Sequence, residues 1–340
     1  MKYQDLSLYD YYLPKSLIAQ KPSSPRDSAK LLVYYRNENK IIDDRFYNLA
    51  KYLPVGSLLV MNNSKVIPAR IMAHRQTGGK CEILMVKTTS PGVYQALFSR
   101  AIALNEELVL NGGLKIRVIK QTERDYFFKT DLSVTELIAY LEKFGQMPIP
   151  PYIKNPDSLA KLQNQYQTVF AKQYGSIAAP TASLHFTKRL LQKLTREKIK
   201  QEFVTLHVGM GTFAPLTERH FVSNQLHGEY YQVSKRAWQE IMDNHRAKKK
   251  IIAVGTTVVR TLEEITKTLD LSGETKIFIK PGYRFKLVNG LLTNFHLPKS
   301  SLLLLICAFI NDRKRTLALY EYAVKHRYRF YSFGDAMLIL

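Results

Sequence analysis

The stretch IIAVGTTVVRTLEE, residues Ile251 to Glu264, decides the fold. Ile251 to Val254 is an apolar, strand-like run. Gly255-Thr256-Thr257 reads as a turn, and the spacing of apolar residues from Val258 to Thr268 predicts a helix. A strand that passes through small residues into a helix is the unit of open α/β sheets, which place ligands at the carboxyl ends of their strands. Four other strings share this character: AAPTASLHF (Ala178 to Phe186), VTLHVGMGTF (Val204 to Phe213), LTNFHLPKS (Leu292 to Ser300) and YRFYSFGDAM (Tyr328 to Met337). Five such strings in one half of a chain predict loops that converge on a single large pocket.

Around them, strand and helix patterns alternate. Strands are expected at Leu31 to Tyr35, Phe203 to His207, Ile251 to Val254 and Lys276 to Ile279. Helices are expected at Phe46 to Leu53, Lys188 to Lys198, Lys235 to His245, Val258 to Thr268, Ser301 to Ile310 and Thr316 to Lys325. Ser57 to Phe128 differs: short runs from Leu58 to Met61 onward are separated by Gly, Asn and charged turns. Asn111-Gly112-Gly113 is a hairpin signal. Closely spaced short strands without helices predict a small antiparallel barrel or sandwich. Leu132 to Phe144 then reads as a helix capped by Ser133 or Asp131 and stopped by Pro148, Pro150 and Pro151. The simplest architecture is an α/β domain from residues 1–60 and 147–340 with an antiparallel domain, 61–146, inserted in it.

A chain of 340 residues accommodates two domains with substantial cores. Its apolar run from Leu302 to Ile310 is far short of the ~20 residues a bilayer span needs, and Met1 to Asp10 carries no apolar leader. These features predict a soluble, cytoplasmic protein that does not enter a membrane. Cys81 and Cys307 are too few and too isolated for a disulfide framework or a zinc site. The formal charge of +22 favours a polyanionic partner, nucleic acid first. Basic residues crowd Lys188 to Lys200, Lys235 to Lys250 and Arg313 to Arg329, where solvated helix faces would account for them equally well.

The five strings, with Tyr11-Tyr12-Leu13-Pro14, VIPAR (Val66 to Arg70), MPIPPYI (Met147 to Ile153) and YQTVFA (Tyr166 to Ala171), resemble the S-adenosylmethionine:tRNA ribosyltransferase-isomerase family of queuosine biosynthesis. The resemblance covers essentially the whole chain in order. It implies an α/β domain built from both chain ends, carrying an inserted six-stranded β-barrel. It also implies a reaction. The ribosyl part of S-adenosylmethionine moves to the aminomethyl group of 7-aminomethyl-7-deazaguanine at the tRNA wobble position and is isomerised, giving epoxyqueuosine, adenine and methionine. No metal is implied, and a monomer is expected. Such chemistry needs a base for the proton beside the sulfonium, an acid for departing adenine, and a neutral amine held in line.

Within the matching strings, His185, His227, Glu229 and His296 are the candidate catalytic residues, histidine being suited to proton transfer near neutrality. Candidate substrate-binding residues are Thr181, His207, Gly209, Gly211, Thr256, Thr257, Arg260 and Asp335. Gly255-Thr256-Thr257 at a helix start suits an anion, either the methionine carboxylate or an RNA phosphate. Asp335 suits ribose hydroxyls. Arg70, Lys299, Arg327 and Arg329 are candidate tRNA contacts, with Tyr328, Phe330 and Tyr331 interleaved for stacking on unpaired bases.

The chain departs from the family pattern at Ser183, where glycine is usual, at Asn224 and Leu226, where histidine and methionine are usual, and at Val258, where serine is usual. Ser183 is expected to shift its loop, and Val258 to remove a hydroxyl from the anion site. A catalytically impaired tRNA-binding relative is the alternative reading. A metal-dependent hydrolase finds no support, because no HxxxH or HxH element with a third ligand occurs.

Overall fold

In the computed structural model, described for residues 1–122, 125–150, 152–153, 159–209, 211 and 215–340, the chain starts with short 3₁₀ turns. Pro151, Met210, Thr212 and Phe213 of the sequence motifs lie outside the described residues. An antiparallel pair follows, β1 (Lys30–Tyr35) and β2 (Lys40–Arg45), and a 3₁₀ helix over Phe46–Tyr52 leads to β3 (Leu58–Asn62) and β4 (Ser64–Val66). Next come β5 (Arg70–Arg75), β6 (Lys80–Ser90), β7 (Val93–Phe98), β8 (Glu107–Leu110), β9 (Lys115–Gln121) and β10 (Tyr126–Lys129). All six pair antiparallel and close a barrel in the order β10-β7-β6-β5-β8-β9.

After the barrel come α1 (Val134–Phe144), α2 (Leu159–Gln165) and β11 (Gln173–Ser176), then α3 (Lys188–Arg196), β12 (Lys200–Leu206), α4 (Glu218–Ser223) and β13 (Gln225–Gln232). The rest is α5 (Lys235–Arg246), β14 (Ile251–Val254), α6 (Thr256–Thr268), β15 (Ser272–Ile277), β16 (Gly290–Asn294), α7 (Ser301–Ile310), α8 (Arg313–Lys325) and β17 (Ala336–Ile339). Nine strands form one mixed sheet, β15-β13-β12-β3-β14-β16-β17-β1-β2. Its centre, β12-β3-β14-β16, is parallel; β17 runs antiparallel to β16 and parallel to β1, and β1-β2, β12-β13 and β13-β15 are antiparallel.

Every residue of β3, β14 and β16 is buried, as expected for parallel strands covered on both faces. Alternation divides them between two cores. Leu58 and Val60 face the core under α5 to α8, while Leu59 and Met61 face the core under α3 and the Phe46–Tyr52 helix. This corrects the expectation that Leu58 to Met61 begins the run of short barrel strands. The run is buried on both faces and pairs with β12 and β14 in the large sheet.

The chain enters and leaves the barrel side by side. Arg70 and Gln146 exchange backbone hydrogen bonds of 3.1 and 2.7 Å. A Cβ at Gly145 would lie 2.1 Å from the Pro68 carbonyl oxygen, so only glycine lets the strands of this neck approach so closely. Helix α1 begins at a capping box between Ser133 and Glu136 and lays Leu137 and Leu141 on the barrel.

Glu263 of α6 is fully buried. Its carboxylate accepts from the backbone N–H groups of Lys286, Leu287 and Val288 at 3.0 to 3.2 Å and from the Tyr283 hydroxyl at 3.1 Å. It thereby orders the connection into β16. Glu263→Leu leaves these donors unsatisfied and is expected to destabilise the protein by about 3 kcal/mol or more in urea unfolding. An unchanged midpoint would show that the connection holds without it.

Candidate active site

All five strings reach the carboxyl ends of β12, β14 and β16, where three adjoining cavities open. The smallest, about 20 Å³, is lined by Gly211, His227, Glu229, Arg260 and apolar side chains of α7. A second, about 50 Å³, lies between Thr181, the start of α6, Asn294, His296 and Tyr331. The third, about 580 Å³, is a cleft between the barrel and the sheet, walled by Met85, Tyr94 and Leu137 on one side and His207, Glu229 and Tyr230 on the other. Val208 borders the second and third, Leu302 the first and second, and Glu229 the first and third. The strings therefore converge as predicted, on adjoining cavities rather than one pocket.

At the junction Glu229 of β13 is buried and ion-paired with Arg260 of α6, which is equally buried. The other Glu229 oxygen accepts from Gly209 N–H at 2.9 Å. Arg260 Nη2 also approaches the carbonyls of His227 and Thr275 at 3.5 and 3.4 Å, and its Nε has no hydrogen-bond partner among the described residues. His227 is exposed at the edge of the smallest cavity, and a Cβ on Gly211 would lie 2.4 Å from its Cβ. His207, its pKa lowered by burial, has Nδ1 2.7 Å from Ser64 Oγ and stacks on Tyr230.

His296 and His185 are both buried. Burial lowers the pKa of His296 to about 3, and its Nε2 lies 3.0 Å from Thr293 Oγ1 on the wall of the second cavity. Burial lowers that of His185 to about 4. This ring stacks on Phe46 and, in the tautomer its partners require, donates from Nε2 to Asn294 Oδ1 at 3.0 Å. Asn294 in turn donates to the carbonyls of Tyr331 and Ser332. His185 thus stands behind the cavity wall, in contact with Asn294, which lines it.

A profile of the queuosine biosynthesis protein family matches residues 6–339. The chain belongs to this family. It is similar to the S-adenosylmethionine:tRNA ribosyltransferase-isomerases of Sulfurihydrogenibium sp. (41% identical, 98% of this chain and 99% of the relative) and Carboxydothermus hydrogenoformans (44% identical over the full length of both). The crystal structure of the S-adenosylmethionine tRNA ribosyltransferase of Thermotoga maritima covers 98% of this chain and 100% of its own, at 34% identity and a TM-score of 0.56. This family member joins a mixed α/β sheet to a closed six-stranded antiparallel barrel.

Other sequence-derived residues fall elsewhere. Asp335 does not line these cavities. Its carboxylate accepts from the backbone N–H groups of Lys30 and Arg329 and from the Arg329 guanidinium at 3.0 Å, locking β17 to β1. Arg329, also held by Ser23 and the Lys21 carbonyl, belongs to this lock. Arg70 pairs with Glu82 on the barrel and Lys299 with Asp10, while Arg327 is exposed. Tyr328 and Phe330 are core residues, and of that trio Tyr331 alone lines one of these three cavities among the described residues. Ser183 sits in a 3₁₀ turn without positive φ, so the backbone tolerates a side chain there, although its buried hydroxyl has no hydrogen-bond partner among the described residues. Val258 points into the core beneath α6 rather than into the cavity. Among the described residues no group of three or more His, Cys, Asp or Glu is placed to hold a metal ion, and no helix is long and apolar enough to cross a membrane.

One neighbour of the site was not foreseen from the sequence. His220 of α4 packs edge-on to His227 with ring centroids 5.2 Å apart, and its Nδ1 accepts from Thr217 N–H. Burial, then the proximity of His227, lowers its pKa.

Two consequences are measurable. His185 and His296 have folded pKa values below the unfolded value of about 6.5, so the unfolded chain binds more protons between these limits. Their neutral burial contributes stability fully above about pH 6.5, and this is lost as pH falls toward 4 and then 3. Urea midpoints are expected to fall over that window by an amount on the order of several kcal/mol, and less in His296→Gln. Identical profiles for the two proteins would contradict the assignment. Second, Glu229→Gln leaves Arg260 buried without its counter-charge and should cost about 3 kcal/mol or more, with Glu229→Gln/Arg260→Met recovering much of the loss. Equal loss in both variants would contradict a charge-pairing origin.

Proposed function

We propose that this chain transfers and isomerises the ribosyl moiety of S-adenosylmethionine onto 7-aminomethyl-7-deazaguanine at the wobble position of tRNA, releasing adenine and methionine and leaving epoxyqueuosine. The observation that carries this reading is the convergence of the five family strings on the junction of the three cavities, together with full-length similarity to enzymes of that name. The large cleft has the size of a small-molecule site and accommodates the ribosyl donor together with a flipped-out base. Its apolar barrel wall suits base faces, and its sheet wall supplies the polar groups.

In this reading, Glu229 and His227 at the junction take the proton beside the sulfonium and return it to departing adenine. Arg260 and Gly209 N–H hold the Glu229 carboxylate in one orientation. His296 is neutral, so it adds no positive charge that would repel the sulfonium. His185 is a positioning residue, holding the Asn294 amide that supports the Tyr331 loop. The charge of +22 supports tRNA as the partner, with Arg70, Lys299 and Arg327 as phosphate contacts. The protein works as a cytoplasmic monomer in this reading.

Adenine release from S-adenosylmethionine, with and without tRNA carrying the aminomethyl base, tests the proposal. Release that depends on the modified tRNA, with epoxyqueuosine found by mass spectrometry, is the expected result. Tight tRNA binding without adenine would instead identify an impaired, binding-only relative. tRNA affinity should fall by about tenfold or more between about 50 and about 200 mM salt; a salt-independent affinity would contradict phosphate contacts.

A further inference from the structure

We propose that the cavity at the start of α6 binds the α-carboxylate of the methionyl end of S-adenosylmethionine, with the Thr257 hydroxyl as its side-chain donor. This rests on the ribosyl-donor reading above. The first turn of an α-helix leaves backbone N–H groups without intrahelical partners, and a side-chain oxygen usually takes one of them. Ser133, Thr187, Ser234, Ser300 and Asp312 do so for α1, α3, α5, α7 and α8. Helix α6 is different. It starts on Gly255 at φ +93°, with no side-chain cap, and opens on the cavity lined by Thr256 and Thr257.

The hydroxyl of Thr257 is the second, independent observation. The residue is only 7% exposed and its Oγ1 has no hydrogen-bond partner among the described residues. A buried orphan hydroxyl costs about 1–3 kcal/mol, so it points to a partner supplied from outside the chain. One turn on, Thr261 satisfies its own hydroxyl on the Thr257 carbonyl at 3.0 Å, whereas Thr257 lines the cavity.

The character of the cavity selects the ligand. Among the described residues no Asp, Glu, Lys or Arg lines it, and His296 on its wall is neutral. A single negative charge facing a helix start suits such a setting, whereas a phosphate calls for arginine or lysine. About 50 Å³ takes a carboxylate with a water or two and excludes a nucleobase. Val208 is shared with the large cleft, so a carboxylate held at α6 leaves the sulfonium and ribose facing the Glu229 junction.

Calorimetric binding of S-adenosylmethionine and of decarboxylated S-adenosylmethionine to the wild type, Thr257→Val and Thr257→Ser provides the test. The wild type should bind the decarboxylated compound about tenfold or more weaker. Thr257→Val should weaken S-adenosylmethionine by a similar factor, leave the decarboxylated compound unchanged, and keep or raise the Tm of the empty protein. Thr257→Ser should restore binding. Equal affinity of the wild type for both compounds overturns the proposal, as does a lowered Tm in Thr257→Val, which would mean the hydroxyl already has a partner. Binding of inorganic phosphate to the wild type but not to Thr257→Val, with S-adenosylmethionine affinity unaffected by phosphate, would assign the site to RNA backbone and overturn it too. Adenine release in the same preparations separates this result from the proposed function: turnover with equal affinities removes the carboxylate site and leaves the ribosyl transfer standing.

Discussion

Arg260 reaches from α6 to Glu229 on β13 where neither charge meets bulk water. An unpaired charge there would cost several kcal/mol, so the two elements are bound to one separation. The pair also recruits Gly209 N–H, which ties the loop after β12 to the same point. Two of the five strings, those of Gly209 and Arg260, are thereby fixed relative to one another through β13. The start of α6, with Thr256 and Thr257, takes its position from the same helix. A buried ion pair contributes little net stability compared with a well-packed apolar pair; what it contributes here is geometry, at the place where the cavities adjoin.

The barrel adds the other wall of the cleft. Its two connections run side by side at Arg70 and Gln146, so it is inserted at one narrow neck between β3 and β11. Lys87 of β6 meets Glu274 of β15 at 3.3 Å on the far side of the cleft. The pair is half exposed and contributes little energy, yet it marks how closely barrel and sheet approach. A large base held between an apolar barrel face and a polar sheet edge would thus meet the ribosyl donor from the side opposite the start of α6.

Much of this was legible in the sequence because the signals are local. Ser300 followed by an apolar run sets the start of α7 at Ser301, and Ser133 with Glu136 does the same for α1. Gly255 after a β-branched strand marks the turn into α6, although the helix begins at Thr256, before the apolar spacing that reveals it. What depends on long-range pairing was not legible. Leu58 to Met61 has the same look as a barrel strand, and only its burial on both faces places it in the large sheet. Asp335 in a Gly-Asp pair reads as a ligand residue, but Lys30 and Arg329, distant or offset in sequence, claim its carboxylate. His220 meets His227 only because α4 and the turn after it fold back on β13. Val258 reads as part of a polar turn, and the helical register points it the other way.

In the proposed reaction, donor and tRNA base meet at the Glu229–Arg260 junction. The most direct measurement is a crystal structure with S-adenosylmethionine and an anticodon stem-loop carrying 7-aminomethyl-7-deazaguanine. The sulfonium is expected between Val208, Leu302 and Glu229, with the base in the cleft between Tyr94 and Tyr230. A donor bound elsewhere, with this junction filled only by water, would contradict it.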